Sequence, residues 1–291
     1  MGKEKHESKG ISGGIWQING KSLNANERIR SMLTFLMIGA HPDDMDVLAG
    51  GLALRLMERG HKAVFLSVTN GNAGHMSMEK EALRLRRRQE MQDAAAVFGL
   101  PYDTLDLDDA YLTADIATRE KLMRYIRTVQ PDVIITHRSC DYHPDHRACG
   151  QLVTDCSYLV GVPLFCPDVP AMRKKPVILF SEDEFTVPSP FRADIGVACD
   201  AYADRKIEGI LQHKSQYYEW LPYDGNWTSV LASKTEAEAT MHLREHLRQV
   251  FSDTVARFPD RFPAGTQYGE VFQIDEYGGS MTEEIRRAME D

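Results

Sequence analysis

The apolar positions of this chain form short unbroken runs that alternate with longer segments of helical spacing. Unbroken runs of this kind are typical of strands buried on both faces of a parallel sheet. They predict strands at residues 33–38, 62–68 and 132–137, and residues 102–107, which are less apolar, are a further predicted strand. Between them lie helical segments at residues 47–59, 79–98 and 118–128. The regular alternation predicts an α/β fold with a Rossmann-like, doubly wound, mainly parallel sheet in three αβα layers.

The second half of the chain follows the same pattern less regularly. Residues 177–180 and 194–198 are strand candidates, whereas residues 201–213 and 236–251 have helical spacing. A proline-rich insertion occupies residues 161–176. We expect three segments in all: an N-terminal arm or extra hairpin at residues 1–31, one domain at 32–275, and a polar C-terminal tail at 276–291.

The first strand ends in the polar sequence His41-Pro42-Asp43-Asp44. Open α/β sheets place their sites at the carboxyl ends of strands. Imidazole nitrogen and carboxylate oxygen are standard zinc ligands, so His41 and Asp44 can both reach one divalent ion. Asp43 then remains free beside the ion, where it is a candidate general base. Its alternative role is to cap the helix that follows.

A second polar cluster follows the strand at residues 132–137 and contains His143-Pro144-Asp145-His146. Parallel strands end at the same edge of a sheet, so the two clusters can meet across about a hundred residues. A helix that starts at His143 would have Pro144 as its first residue, where the missing N–H costs nothing. A polar loop with one capping histidine is the alternative. Together, the clusters favour a catalytic site of three ligands: His41, Asp44 and one of the later histidines.

These motifs carry a family resemblance. Ala40-His41-Pro42-Asp43-Asp44 resembles the A-H-P-D-D signature of the PIG-L/LmbE-like zinc-dependent N-deacetylases, and residues 143–147 are similar to that family's H-P-D-H motif. Weaker similarity extends to about residue 273. The sequence departs from the pattern at Met45, where the family usually has Glu, and in the 161–176 insertion. The resemblance therefore covers most of the chain.

The resemblance implies one zinc ion per chain, held by His41, Asp44 and His146. Asp43 would take a proton from the attacking water, and His143 would stabilise the oxyanion or protonate the departing amine. The reaction would remove an N-acetyl group from an N-acetylglucosamine-type small molecule or glycoconjugate by cleaving a linear amide C–N bond. A metal-dependent hydrolase of this kind is our main prediction.

Three residues are candidates for substrate binding. The resemblance suggests Arg88, in the helix at residues 79–98, and His213, within a weaker motif at residues 206–216. Asn72 belongs to a Gly- and Asn-rich loop at residues 69–75, which is either a wall of the pocket or an ordinary βα turn. Residues 217–227 are dense in aromatic side chains. Such side chains suit the apolar face of a sugar, although packing beneath a loop is their commoner fate.

Other functional classes remain open. Two histidines and one carboxylate also form the facial triad of non-haem iron oxygenases, but the βαβ alternation speaks against that class. A nucleotide-binding module would need G-x-G-x-x-G after the first strand, where this chain has Gly39-Ala40-His41-Pro42-Asp43-Asp44. A metal-binding protein without catalysis is the third alternative.

The composition of the chain indicates which binding partners and which cellular compartment to expect. The chain has 291 residues and a formal net charge of −9, which argues against nucleic acid and anionic membranes as partners. It has neither an apolar run long enough to span a bilayer nor the apolar core of a signal peptide near Met1. Five cysteines without regular spacing predict reduced thiols and a cytoplasmic location. A homo-oligomer is compatible with these features.

Overall fold

The computed structural model describes residues 17–18, 21–22 and 32–290. Within residues 1–32, strands β1 (Gln17–Ile18) and β2 (Lys21–Ser22) form an antiparallel pair. This pair agrees with the hairpin alternative for the N-terminal segment. The remainder of the predicted arm lies outside the described residues, and the domain boundaries stay a prediction.

Residues 33–290 contain a seven-stranded sheet. Its strands are β3 (Thr34–Gly39), β4 (Lys62–Thr69), β5 (Tyr102–Leu107), β6 (Val133–Thr136), β7 (Val177–Ser181), β8 (Ile195–Ala198) and β9 (Gly269–Ile274). They follow the spatial order β5-β4-β3-β6-β7-β9-β8. The strands from β5 to β7 in that order are parallel, and β9 pairs antiparallel with both β7 and β8. The predicted α/β class with a mainly parallel sheet is confirmed.

Helices connect the strands and cover the sheet. They are α1 (Asp44–Glu58), α2 (Lys80–Phe98), α3 (Ile116–Val129), α4 (Pro144–Leu159), α5 (Ala203–Ile210), α6 (Leu221–Asp224), α7 (Thr228–Leu231), α8 (Glu236–Arg257) and α9 (Glu283–Glu290). A π-helical segment (Ser215–Trp220) precedes α6, and short 3₁₀ turns occupy Asp200–Tyr202 and Pro259–Arg261. None of the helices in the described part of the chain is long and apolar enough to cross a membrane.

The two faces of the sheet pack into separate cores. Side chains alternate along β3, so Phe35 and Met37 belong to one core cluster and Leu36 and Ile38 to the other. The first cluster includes residues of α1 and α2, and the second includes residues of α3 and α4. The central strand is therefore apolar on both faces, which explains its unbroken run.

The C-terminal part contains two elements that the sequence pattern did not predict. Strand β9 was recognised only as part of a weak motif, and its place in the sheet depends on antiparallel pairing with β7 and β8. The segment predicted as a polar tail contains α9, in which Ile285 and Met289 lie in the main core. Their spacing of four residues places both on one face of an otherwise charged helix.

The proline-rich insertion lies at the opposite edge of the sheet from the strand carboxyl ends, because it connects the end of α4 to the start of β7. The buried guanidinium of Arg127 organises it. This side chain donates hydrogen bonds to the carbonyl oxygens of Leu159, Val160, Val162, Phe165, Cys166 and Val169. The insertion is thus a structural feature remote from the predicted metal site.

Candidate metal centre

The two predicted clusters meet because β3 and β6 are adjacent parallel strands, with Ile38 opposite Thr136. The Nδ1 atom of His41 lies 3.3 Å from the Nε2 atom of His146. The Asp44 carboxylate lies 3.6 Å from the first nitrogen and 3.5 Å from the second. Three potential ligand groups therefore surround one point at the carboxyl edge of the sheet.

Carboxylates on the outer side of both imidazoles fix their orientation. The Nε2 atom of His41 lies 3.2 Å from an oxygen of Asp109 and 3.3 Å from one of Asp145. The Nδ1 atom of His146 lies 3.0 Å from Asp141. Carboxylates accept hydrogen bonds, so each neutral ring carries its proton on the nitrogen that faces these outer carboxylates. The other nitrogens, Nδ1 of His41 and Nε2 of His146, then have lone pairs directed at each other and at Asp44. Outer carboxylates of this kind usually accompany metal-binding histidines.

The spacing of the inner atoms provides a test of whether these residues fit a metal ion. Four-coordinate zinc with bonds of about 2.0–2.2 Å separates its ligand atoms by about 3.3–3.5 Å. The two nitrogens lie 3.3 Å apart, and they lie 3.6 and 3.5 Å from different oxygens of Asp44. This spacing is compatible with a transition-metal ion held by the three residues.

His137 belongs to the same cluster, but sequence reasoning treated it only as the end of a strand. Its Nε2 atom lies 3.0 Å from Asp44 and its ring stacks on His146 with centroids 4.1 Å apart. Asp44, His137 and His146 could therefore hold an ion, as could His41, His143 and His146. The contact of His137 with the Asp44 carboxylate instead suits a role in orienting Asp44. The choice of His41, Asp44 and His146 as ligands stays a prediction.

The charges of the cluster are strongly coupled. Burial would raise the pKa of Asp44, but His146 and His137 hold it well below its usual value. Burial would lower the pKa of His146, but Asp44 and Asp141 raise it to about 9. The pKa of His41 is raised well above its usual value, since its carboxylate neighbours outweigh burial. Without a metal, the cluster therefore favours protons at positions where a cation would bind.

Asp43 projects into the site from a rare backbone conformation, with φ of 111°. It occupies the N-cap position of α1, yet its side chain makes no capping hydrogen bond. Its carboxylate instead pairs with Arg87 at 3.3 Å, and that guanidinium also donates to the carbonyl of Pro42. Burial raises the pKa of Asp43, although Arg87 opposes the shift. A carboxylate that is not one of the predicted ligands and has a raised pKa is suited to proton transfer.

His143 lies on the substrate side of the cluster. It caps α4, because its Nδ1 accepts a hydrogen bond from the backbone N–H of Asp145 at 3.2 Å. Burial and the nearby His41 and His146 lower its pKa, which favours the neutral ring. With Nδ1 as acceptor, that ring carries its proton on Nε2 and can donate a hydrogen bond. The predicted helix start at His143, with Pro144 first, is confirmed.

The cluster opens into a cavity of about 390 Å³. Asp43, Asp44, Arg87 and Asp109 supply charged groups to its wall. Burial would raise the pKa of Asp109, but hydrogen bonds from His41 and from the backbone hold it at about 2. The opposite wall consists of the loop after β4 and the π-helical segment, and the aromatic lining residues are Tyr142, Tyr217 and Trp220.

The three predicted substrate residues do not line this cavity. Arg88 is exposed on α2. The arginine that lines the cavity is its neighbour Arg87. His213 is fully buried and bonds to Asp46 at 3.0 Å. Asn72 is buried too, where its side-chain oxygen accepts from the backbone N–H of Asp109. His213 and Asn72 therefore lie behind the residues that line the cavity and pack against them.

The helical phase could have identified Arg87 from sequence. The buried positions of α2 include Leu83, Arg87, Glu90, Met91 and Ala94, which follow the i, i+4, i+7 spacing of one helix face. An arginine within such a stripe is directed inward. Asp109 had no comparable signal, because it lies in the irregular loop after β5.

Comparison with known proteins is consistent with this geometry. Residues 36–157 match the family described as "PIG-L: GlcNAc-PI de-N-acetylase". The match contains both polar clusters. Residues 36–157 of this chain are therefore similar to the PIG-L/LmbE-like N-deacetylases.

The proteins that this chain is similar to have more than one named activity. Diacetylchitobiose deacetylase of Thermococcus kodakarensis is 27% identical over 210 residues, which cover 68% of this chain and 77% of that protein. The 4-oxalmesaconate hydratase of Pseudomonas putida is 24% identical over 196 residues, covering 65% and 76%. The structure of N,N'-diacetylchitobiose deacetylase from Pyrococcus horikoshii has a TM-score of 0.67 at 20% identity, with 87% of each chain covered. That structural similarity shows the shared fold.

Proposed function

We propose that this protein is a zinc-dependent amidase that removes the N-acetyl group from an N-acetylglucosamine-type small molecule or glycoconjugate. Similarity to known proteins alone supports either a deacetylase or a hydratase. The observation that favours the deacetylase is the charge of the cavity wall. Among the described residues that line the cavity, Arg87 is the one arginine or lysine, whereas Asp43, Asp44 and Asp109 are carboxylates.

This charge distribution suits a neutral substrate better than an anionic one. The Arg87 guanidinium already pairs with Asp43 and with the carbonyl of Pro42, so it offers little to a substrate carboxylate. A substrate with several carboxylates, as the name of the hydratase relative denotes, could place one carboxylate on the bound ion, but its other carboxylates would face Asp43 and Asp109. A sugar carries hydroxyl groups that can donate to Asp109 and an apolar face that can pack on Trp220 or Tyr217.

Two nitrogen donors and one carboxylate oxygen make zinc the ion of choice. An ion held by His41, Asp44 and His146 would lower the pKa of water and polarise the acetamide carbonyl. Asp109, Asp141 and Asp145 hold the ligating imidazoles in place. The iron oxygenase alternative uses a similar ligand set, but it requires dioxygen.

Two residues carry the proton transfers in this proposal. Asp43 accepts a proton as the water oxygen bonds to the acetyl carbon. The Nε2–H of His143 donates a hydrogen bond to the oxygen that becomes negative. The C–N bond then breaks, and the proton held by Asp43 passes to the departing nitrogen, directly or through His143. The products are acetate and a free amine, and no oxidant or cofactor is consumed.

The cysteines support a reducing compartment such as the cytoplasm. All five are free thiols, and Cys149, Cys156, Cys166 and Cys199 are buried. Burial raises the pKa of Cys149 and of Cys156 to about 12, so these thiols are unreactive at neutral pH. None of them is needed in the proposed reaction.

A substrate panel tests the proposal. The zinc-loaded protein would be incubated with N-acetylglucosamine, diacetylchitobiose and N-acetylglucosaminides that carry different aglycones, and with an unsaturated tricarboxylate. We expect equal amounts of acetate and free amine from at least one acetylated sugar, with or without dioxygen. Addition of water to the unsaturated acid without amine release from any sugar would instead assign the protein to the hydratases.

A variant that tests the role of Asp43 is Asp43→Asn, which keeps the size of the side chain but removes the base. General base catalysis is worth about 10²- to 10⁴-fold, so this variant should bind zinc normally and lose rate by that factor. Full activity of this variant would remove Asp43 from the mechanism. Loss of zinc would identify it as a ligand.

A further inference from the structure

The backbone of Asp43 has a rare conformation that contacts from other residues must stabilise. Its φ of 111° is rare for a residue with a side chain. Such conformations cost about 1–3 kcal/mol and persist only where surrounding contacts hold them. The carbonyl of Asp43 accepts the N–H of Val47, so the residue must also join α1. Its position depends on contacts from outside the helix.

A buried chain of three side chains provides one of these contacts. The backbone N–H of Asp43 donates to the hydroxyl of Tyr102 at 2.8 Å. That hydroxyl donates to Asp46 at 2.9 Å, and the other carboxylate oxygen of Asp46 lies 3.0 Å from Nε2 of His213. The exposed fractions of Tyr102, Asp46 and His213 are 8%, 0% and 0%. Water therefore cannot readily replace the members of this chain.

The chain joins three distant parts of the sequence. Tyr102 begins β5, where its ring packs edge-on against Phe65 with centroids 5.2 Å apart. Asp46 lies in the first turn of α1, and His213 follows α5. The tyrosine hydroxyl has one acceptor and one donor partner, so its direction is fixed by both neighbours. The chain therefore connects the sheet, α1 and the segment after α5 to a single backbone N–H.

We propose that Tyr102 is a positioning residue for Asp43, with Asp46 and His213 orienting its hydroxyl. Arg87 holds the carboxylate of Asp43, and Tyr102 holds its N–H, so the two contacts fix the residue from opposite ends. This inference rests on the proposed role of Asp43 as the base. It also gives His213 a function behind the site, in place of the substrate contact that the sequence suggested.

The test variant is Tyr102→Phe, which removes only the hydroxyl and leaves the ring in the core. A displaced base loses rate without losing substrate affinity, so kcat should fall about 10-fold while KM and zinc content stay unchanged. The matched control is Tyr125→Phe. It removes a hydroxyl that bonds to Asp103 at 2.6 Å, also on β5 but away from the cavity, and should leave kcat unchanged.

A double-mutant cycle separates positioning from a general structural effect. If Tyr102 acts through Asp43, Tyr102→Phe should change kcat less than about 2-fold in an Asp43→Asn background. An equal loss in both backgrounds would contradict the proposal, as would full kcat of the single variant. If Tyr102→Phe does not fold, His213→Gln tests the same chain: reduced kcat at unchanged KM supports the proposal, and full kcat contradicts it.

Amide hydrogen exchange distinguishes failure of this inference from failure of the proposed function. The N–H of Asp43 should exchange at least about 10-fold faster in Tyr102→Phe than in the wild-type protein, whatever substrate the protein uses. Unchanged exchange would show that Tyr102 does not hold this N–H. Wild-type protein without amidase activity, but with the expected exchange difference, would refute the function and leave the contact in place.

Discussion

The two histidines of the second cluster should respond differently to replacement by alanine. His146 contributes the Nε2 atom that lies 3.3 Å from His41 and 3.5 Å from Asp44. Its removal leaves two of the three predicted ligands. Loss of an outer-shell partner alone weakens metal binding about 10- to 100-fold. Loss of a direct ligand should exceed that, so we expect His146→Ala to weaken zinc binding by more than about 100-fold.

His143→Ala should retain the metal and lose rate. The variant loses a hydrogen-bond donor beside the reacting carbonyl, which typically costs about 10²- to 10³-fold in kcat. It also loses the cap of α4, whose hydrogen bond to Asp145 spans 3.2 Å. Loss of a cap costs about 1 kcal/mol, so the free energy of unfolding should decrease by that amount in the metal-free protein.

The assay for both variants combines zinc content after dialysis, kcat at saturating zinc, and urea denaturation of the metal-free protein. Because His143 caps α4, the His143→Ala variant should combine a small loss of stability with normal zinc content. That combination distinguishes it from His146→Ala, which should lose zinc. Metal lost only from the His143 variant would show that ligand and catalyst had been exchanged. Metal retained by both variants would remove His146 from the ligand set.

Further predictions concern residues around the site and in the insertion. Arg127→Met should lower the free energy of unfolding by about 2–6 kcal/mol, because the buried carbonyls of residues 160 and 166 lose their donor. The control is Arg124→Met, at a partly exposed arginine with surface ion pairs, which should change the same quantity much less in the same denaturation assay. Asp141→Asn should weaken zinc binding about 10- to 100-fold in a chelator competition. Trp220→Ala should raise KM for the sugar about 10-fold with little change in kcat, whereas Tyr158→Ala, at an exposed tyrosine outside the cavity lining, should leave both unchanged.

The approach of the two polar clusters could be predicted because parallel strands end at a common edge. His41 and Asp44 follow β3, His146 follows β6, and no knowledge of loop conformation is needed to place these segments together. The start of α4 was also predictable, since proline is favoured as the first residue of a helix and Pro144 takes that position. These features depend on local sequence and on general rules of sheet topology.

Most of the remaining features depend on contacts that local sequence does not encode. Strand β9 follows β8 by about seventy residues, and its antiparallel place between β7 and β8 results from long-range pairing. The helical phase of α2 distinguishes Arg87 from Arg88, but several consecutive arginines make that phase hard to recognise in the sequence. His213 follows α5, and its partner Asp46 lies in α1, far away in the sequence. Such partners become visible only when the fold is known.

The most direct test of the central claim is a zinc titration of amidase activity. Metal-free protein would be titrated with zinc while amine release from the best acetylated sugar is followed. The account predicts negligible activity without metal, a linear increase up to one equivalent per chain, and no such increase for His146→Ala over the same range. Amine release that persists in excess chelator, or equal activity of His146→Ala at one equivalent of zinc, would contradict a catalytic metal held by His41, Asp44 and His146.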